Sequence, residues 1–285
     1  MKFSVIMSVY KNDVPEFFKI ALESISINQS LKPSQIVVVE DGPVVEEIES
    51  IFYELQSKVR EIEFTLIKKA FNEGLAAALN DAIDACKYDW IARMDSDDYS
   101  TPDRFEKQFA FIEEHPGISV VGGAMCEFQK SIGDISSKRI VACNHDGIRK
   151  MMKKRNPMNH ITVCYKKSDV INCGKYCISF GKLEDYKLWV DMIGAGYRFA
   201  NIPEICCYAR IGNGFFDRRS NKREIKDWDM LQEYLLSHSI VNRIESIRNK
   251  LYIRVFIYSP KWIKKIAYGH FLRRKEKNIN DQTVL

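Results

Sequence analysis

Trp90-Ile91-Ala92-Arg93-Met94-Asp95-Ser96-Asp97-Asp98 is a short apolar run that ends in three carboxylates within four positions. Consecutive strand side chains alternate faces, so at a strand end Asp95 and Asp97 point the same way. Two carboxylates on one side repel each other unless a cation lies between them. Mg²⁺ and Mn²⁺ are hard ions that take oxygen ligands and share them with phosphate oxygens. The stretch therefore reads as a metal–diphosphate site, although a solvated acidic turn uses the same residue types.

The flanking sequence decides between the two. Upstream lie three further strand-like runs, Phe3 to Val9, Gln35 to Val39 and Glu63 to Ile67. The second is a β-branched run without alternation, which implies burial on both faces as in a parallel sheet. Helical patterns separate the runs: one starts near Pro15 with Asp13 as its cap, one covers Val45 to Lys58, and one follows Asn72 with Leu75, Leu79, Ala82, Ile83 and Cys86 on its core face. Downstream, Thr101-Pro102 starts a helix that His115-Pro116-Gly117 stops, and Ile118 to Ala124 is another strand. This alternation predicts an α/β fold with a mostly parallel central sheet flanked by helices. Such sheets bind ligands at the carboxyl ends of their strands. Three polar strand ends then converge on one edge: Ser8-Val9-Tyr10, Glu40-Asp41-Gly42 and Asp95-Ser96-Asp97-Asp98. No G-x-G-x-x-G or P-loop follows the first strand, so a dinucleotide or NTPase fingerprint is excluded.

The second half is less regular. A helical stretch at Asp146 to Arg155 leads through Asn156-Pro157-Met158-Asn159-His160 to a short strand, Ile161 to Tyr165. Leu183-Glu184-Asp185-Tyr186 opens an amphipathic helix with Leu188, Trp189 and Met192 inward, and two closing strands follow at 199–203 and 205–208.

Composition is that of a globular protein, with 46% hydrophobic and 28% charged residues. The apolar run after Lys2 is too short for a signal peptide, and no uninterrupted apolar segment is long enough to span a bilayer. Eight cysteines, most of them inside apolar runs and none in a paired C-x-x-C arrangement, suit a reduced, cytosolic protein.

The ordered set SVIMSVY, VVVEDGP, NEGLAAALN, IARMDSDDYSTPDRF, NPMNHITV and LEDYKLW, followed by an Arg-Arg pair, resembles the family 2 inverting glycosyltransferases. Within that family it is closest to bacterial enzymes of the O-antigen, capsule and exopolysaccharide (amylovoran) type. The resemblance runs from about Phe3 to Arg219. It implies a GT-A fold, a UDP-sugar donor carrying galactose or an N-acetylhexosamine, a divalent metal (Mn²⁺ or Mg²⁺) and a polyprenyl-diphosphate-linked oligosaccharide acceptor. It divides the chain into a catalytic domain over 1–219, with its nucleotide half at about 1–100, and a basic helical extension over 220–285.

By the same resemblance, Asp95-Ser96-Asp97 is the D-x-D motif, with Asp97 as direct metal ligand and Asp95 reaching the ribose or the metal. A divalent metal there stabilises the charge that grows on the departing diphosphate. Asp98 either supports the motif from behind or simply ends the strand. Asp185 is the family's base, taking the acceptor hydroxyl's proton, and Glu184 positions it or the acceptor. Acids also favour helix starts for electrostatic reasons alone. Ser8, Val9 and Tyr10 would line the nucleotide pocket, with Asp41 accepting from the uracil ring. Asn72 and Gly74 would let the backbone approach the nucleotide, unless Asn72 is only a cap. Family members often carry Pro in place of Ser8 and Asp in place of Glu40. Arg93 pairs with Asp95 or the donor, or forms a structural ion pair. His160 lies toward the acceptor, and Arg218-Arg219 are either a lid over the diphosphate or a solvated basic turn.

From Arg243 onward, basic residues are interleaved with aromatics and aliphatics such as Leu251, Tyr252, Val255, Phe256, Trp262 and Phe271. This suits an amphipathic helix on an anionic membrane surface better than nucleic acid, for which no motif is present. Packing on the catalytic domain or in a homodimer is the other reading. The expectation is a cytoplasmic enzyme peripheral on the inner face of the membrane. A glycoside hydrolase, which also needs two carboxylates, and a non-catalytic nucleotide-sugar-binding scaffold are the competing classes.

Overall fold

No residue of Gln35–Glu40 is exposed, as a β-branched run demands when both faces of its strand are covered. In the computed structural model, which describes residues 1–135, 137–212, 222–260 and 263, this run is β2. It lies parallel between β1 (Phe3–Val9) and β3 (Glu63–Lys68), and β1 pairs in parallel with β4 (Trp90–Asp95). Crossover helices α1 (Pro15–Ser24), α2 (Glu46–Lys58) and α3 (Leu75–Ala85) connect these four strands.

Alternate residues feed two cores, one on each face of the sheet. Phe3, Val5, Met7 and Val9 pack with Phe18, Leu22, Phe52, Phe105 and Phe109. Ile6, Val37 and Val39 pack with Leu79, Ile83, Leu188 and Trp189. Each such fully buried aliphatic or aromatic contributes about 1.5–3 kcal/mol before entropy is counted.

Beyond β4 antiparallel pairs enter the α/β sheet. The next strand in space is β8 (Cys164–Lys166), antiparallel to β4, and among the described residues the sheet is mixed and nine-stranded. Its order is β3-β2-β1-β4-β8-β6-β9-β5, with β5 at Tyr99–Ser100, β6 at Ile118–Phe128 and β9 at Arg198–Arg210; β7 (Lys138–Arg139) hangs off β6. Further on, β6 and β9 again run parallel to each other. The expected strand over 161–165 begins instead as a 3₁₀ turn (His160–Thr162), because Thr162 sends both its N–H and its hydroxyl back to the Asn159 carbonyl. The two expected closing strands are one strand. β9 absorbs Pro203 and Glu204 in a register shift, Ile202 pairing with Gly123 and Ile205 with Ala124, so the proline needs no ladder partner.

The remaining helices are α4 (Arg104–Glu114), α5 (His145–Met152), α6 (Lys167–Asn172), α7 (Glu184–Gly194), α8 (Lys222–Ser237) and α9 (Arg243–Tyr258). α8 is part of the body: Leu231 and Leu235 are fully buried in the second core. Arg218 and Arg219, Trp262 and residues 264–285 lie outside the described residues.

Candidate active site

Register brings the acidic strand end to the centre of the parallel edge. Ser8 is level with Asp95, and Val9 with Glu40. β4 ends at Asp95, so Ser96 and Asp97 lie in the turn beyond it rather than on the strand. Arg93, two residues back on the same face, is buried and holds both Asp95 oxygens: Nη1 donates to Oδ2 at 2.9 Å and Nη2 donates to Oδ1.

Asp97 has no such cation on its carboxylate among the described contacts. Burial, then Asp95 and Asp13, push it up to about 6. Asp98 is raised well above the ordinary range, first by burial and then by Asp95 and Asp97. Its carboxylate accepts the Arg210 N–H at 2.7 Å, and Arg210 Nε donates to the Asp97 carbonyl at 3.1 Å. The Arg210 guanidinium is stacked between Phe17 at 3.8 Å and Phe128 at 4.5 Å. Asp98 therefore ties the end of β9 to the acidic turn.

Asp13 does not cap α1, whose N-cap is Val14. It accepts instead from the Tyr10 N–H at 3.1 Å and from the Ser96 hydroxyl at 2.7 Å, and burial raises its pKa. That adds a fourth carboxylate to the turn. Its only sequence signal was its place four residues past the carboxyl end of β1.

Beside this turn, both Asp41 oxygens are occupied by the start of α3, accepting from the Glu73 N–H at 2.8 Å and the Gly74 N–H at 2.9 Å. Asn72 does not cap that helix; its amide donates to the Asp41 carbonyl at 3.0 Å, and Gly74 is the N-cap at φ 94°. Gly42, at φ +83°, lets this turn close: a Cβ there would lie 2.8 Å from the Asn72 nitrogen. Tyr10 is exposed at the edge. Val9's side chain is fully buried, and its carbonyl accepts the Asp41 N–H.

The second acidic group opens α7, where Glu184 and Asp185 are both buried. Asp185 Oδ2 accepts from the Asn156 amide at 2.6 Å and Oδ1 from the Tyr186 N–H at 2.7 Å. Burial raises the Asp185 pKa, while these two bonds and Arg93 oppose the rise. Glu184 is pushed up to about 8 by burial and then by Asp185, with Arg93 opposing and Asp95 adding. Among the described residues its Oε2 has no hydrogen-bond partner. The Arg93 charge, paired with Asp95, thus also opposes the rise at both acids of α7.

His160 completes this wall. Its Nε2 shares a 2.8 Å hydrogen bond with the Tyr176 hydroxyl, and Tyr176 is held to α3 by a reciprocal backbone–amide pair with Asn80. Burial and then Arg93 hold His160 well below its ordinary pKa, so it is neutral and its 4.0 Å approach to Asp185 is not an ion pair. Asn156 opens the NPMNHITV motif, but its role, like that of Tyr176, is not legible in sequence, because their partners lie 29 and 16 residues away.

No group of three or more His, Cys, Asp or Glu forms a ready-made metal cage among the described residues. The donor chemistry nonetheless suits Mg²⁺ or Mn²⁺, which bind through one or two carboxylates with substrate phosphates and water completing the shell. Asp97, desolvated and crowded by Asp95 and Asp13, is a place where a cation would relieve repulsion.

A half-parallel sheet with carboxylates along its carboxyl edge, faced by an acid pair on a separate helix, is the architecture of a GT-A enzyme. The chain belongs to glycosyl transferase family 2, whose model matches residues 4–177. It is 42% identical to an uncharacterised glycosyltransferase of Haemophilus influenzae, over 81% of this chain and 85% of that one. It is 33% identical to the amylovoran biosynthesis glycosyltransferase AmsE of Erwinia amylovora (96% and 99% covered). Identity is 32% to the Escherichia coli UDP-Gal:alpha-D-GlcNAc-diphosphoundecaprenol beta-1,3-galactosyltransferase (76% and 77% covered). Among solved structures it shares its fold with Staphylococcus aureus TarS 1–349 in complex with UDP, at TM-score 0.63 and 17% identity over 94% of this chain and 74% of that one. It also shares it with the mannosyltransferase PcManGT of Pyrobaculum calidifontis in complex with GDP-Man and Mn²⁺, at TM-score 0.61 and 16% identity (90% and 69% covered). The protein is a glycosyltransferase.

Proposed function

We propose that this enzyme inverts the anomeric centre as it moves galactose or an N-acetylhexosamine from a UDP-sugar to a hydroxyl of a lipid-linked bacterial surface oligosaccharide. The observation that carries the reading is Arg93, which grips Asp95 on the donor side and opposes the raised pKa values of Glu184 and Asp185 on the other. Leaving-group and proton-accepting chemistry then share one cleft.

In this reading Asp97 holds the divalent metal, with Asp95 turned by Arg93 toward the ribose. The metal, when bound, supplies positive charge for the departing diphosphate. Asp185, ionised and oriented by Asn156, takes the acceptor hydroxyl proton as that oxygen bonds to the anomeric carbon. The bond from that carbon to the diphosphate oxygen breaks, and its electron pair leaves with UDP. Glu184, protonated below about pH 8, donates toward the acceptor or shares its proton with Asp185. Ser8, Tyr10 and the Asp41–Asn72–Gly74 turn form the nucleotide side, and neutral His160 offers Nδ1 on the acceptor side.

The UDP donor and lipid diphosphate acceptor are supported by the name of the Escherichia coli relative, and the metal by the donor set and by Mn²⁺ in the mannosyltransferase of the same fold. Such an acceptor places the enzyme at the cytoplasmic membrane surface. The test is a thermal-shift screen of UDP-sugars with Mn²⁺, followed by transfer assays with the best donor on a polyprenyl-diphosphate glycan. Stabilisation by one UDP-sugar and formation of an inverted glycoside support the reading. Binding without any transfer would leave a scaffold, and glycan cleavage without UDP binding would leave a hydrolase.

A further inference from the structure

Helix α9 turns polar residues inward and most of its apolar ones outward. The side it turns to the protein carries Ser246, Asn249 and, near its end, Ile257, all buried, with Asn249 donating to the Lys153 carbonyl at 2.7 Å and to Gln232 of α8 at 3.0 Å. The side it turns outward carries Ile244 (79% exposed), Ile247, Leu251, Val255 and Tyr258. At about 100° per residue these five fall within an arc of about 80°, a single apolar stripe along four turns. An ordinary surface helix has the opposite arrangement. The helix does not fray for lack of support, because a capping box of Asn242 and Glu245 fixes its start.

Charge says what the stripe meets. From Ser246 to Lys275 the sequence has nine Lys and Arg and no Asp or Glu. Within α9, Arg243 is exposed and Arg248 half-buried beside the stripe. Lys250 and Arg254 are committed inward, to Glu233 and to Asp229 of α8. A seam to a second copy by coiled-coil packing would need an apolar residue at 254, seven after Ile247. Arg254 holds that place and is turned to the body. Among the described residues no helix is long and apolar enough to cross a membrane.

We propose that the outward face of α9 is a docking surface for an anionic lipid bilayer, with the Ile244–Tyr258 stripe lying in the headgroup–acyl boundary and the surrounding cations on anionic headgroups. The helix lies along the membrane plane, and Asn249, Lys250 and Arg254 on its inner side anchor the catalytic body through α8. The inference deepens the proposed function by naming the surface that brings the enzyme to a lipid-linked acceptor. Vesicle binding is read without donor or acceptor, so it can fail while glycosyl transfer stands, and the reverse.

The experiment is co-sedimentation of the full chain with phosphatidylglycerol-containing vesicles, with phosphatidylcholine vesicles beside them. The wild type should bind the anionic vesicles at least about tenfold more tightly than the neutral ones, and less tightly as salt rises. The triple variant Ile247→Asp, Leu251→Asp, Val255→Asp should lose at least about tenfold of that binding while keeping the wild-type melting temperature, since all three side chains are exposed. The paired charge variant Arg243→Glu, Arg248→Glu, read on the same vesicles, should narrow the anionic preference; an unchanged preference overturns the role given to these two cations. Unchanged binding by the triple variant overturns the proposal. So does a wild type that ignores anionic vesicles, or a dimer that the triple variant dissociates without any change in vesicle binding.

Discussion

The turn after β4 and the first turn of α7 both gather carboxylates, but they hold their charge differently. In the turn, Asp13, Asp95, Asp97 and Asp98 crowd together: Asp95 is paired with Arg93, Asp13 and Asp98 each accept a backbone N–H, and Asp97 has no cation on its carboxylate among the described contacts. At α7, Asp185 is given two hydrogen-bond donors while its neighbour Glu184 is left with an unpartnered oxygen and a pKa near 8. In the proposed function the first cluster receives positive charge and the second handles the acceptor's proton, and the supporting residues distinguish the two.

Single substitutions separate the two clusters. The largest effect is expected at the turn: Asp97→Ala removes the carboxylate that would hold the metal and lowers turnover by on the order of 10³-fold or more, with weaker UDP affinity in Mn²⁺ by calorimetry. EDTA stops transfer for the same reason, and Mn²⁺ restores it; unchanged rates in EDTA would remove the metal from the account. Next comes Asn156→Ala. Loss of its 2.6 Å bond leaves Asp185 more easily protonated, so the acid limb of the rate–pH profile moves to higher pH and turnover at neutral pH falls by about tenfold. A limb that stays in place would show that Asn156 does not tune the base.

The smallest effect is on stability. Glu184's pKa is raised in the folded protein from 4.5 to about 8, so the folded state is favoured while the acid is protonated and loses that advantage as pH rises through the range up to 8. Glu184→Gln removes the loss. Its melting temperature should exceed the wild type's by about 4 °C at pH 8, corresponding to ~1–2 kcal/mol, with the gain vanishing near pH 4. Equal melting curves at pH 8 would contradict a buried acid kept protonated by its surroundings.

What could be read from sequence was whatever is written locally. The β-branched run at Gln35–Glu40, the acids closing β4 and the acids opening α7 each announce an element and its end, and together they placed the edge of the sheet correctly. The bonds across the cleft are not local. Asp13 and Asn72 have cap-like spacing, yet tertiary partners win: Ser96, 83 residues away, takes Asp13, and Asp41, 31 residues away, takes Asn72. The sheet's change from parallel to mixed is equally invisible, because β8 is three residues long and preceded by a 3₁₀ turn. In α9 the apolar residues were evident, but their facing outward depends on Asn249 finding the Lys153 carbonyl and Gln232 on the body.

The division of labour between the two acid clusters is tested most directly by Asp185→Asn, assayed for UDP affinity in Mn²⁺ and for glycosyl transfer on the same preparation. The account predicts wild-type UDP affinity with turnover reduced by on the order of 10³-fold, because only the proton acceptor is lost. Full transfer activity in Asp185→Asn, or loss of UDP binding with it, would contradict it.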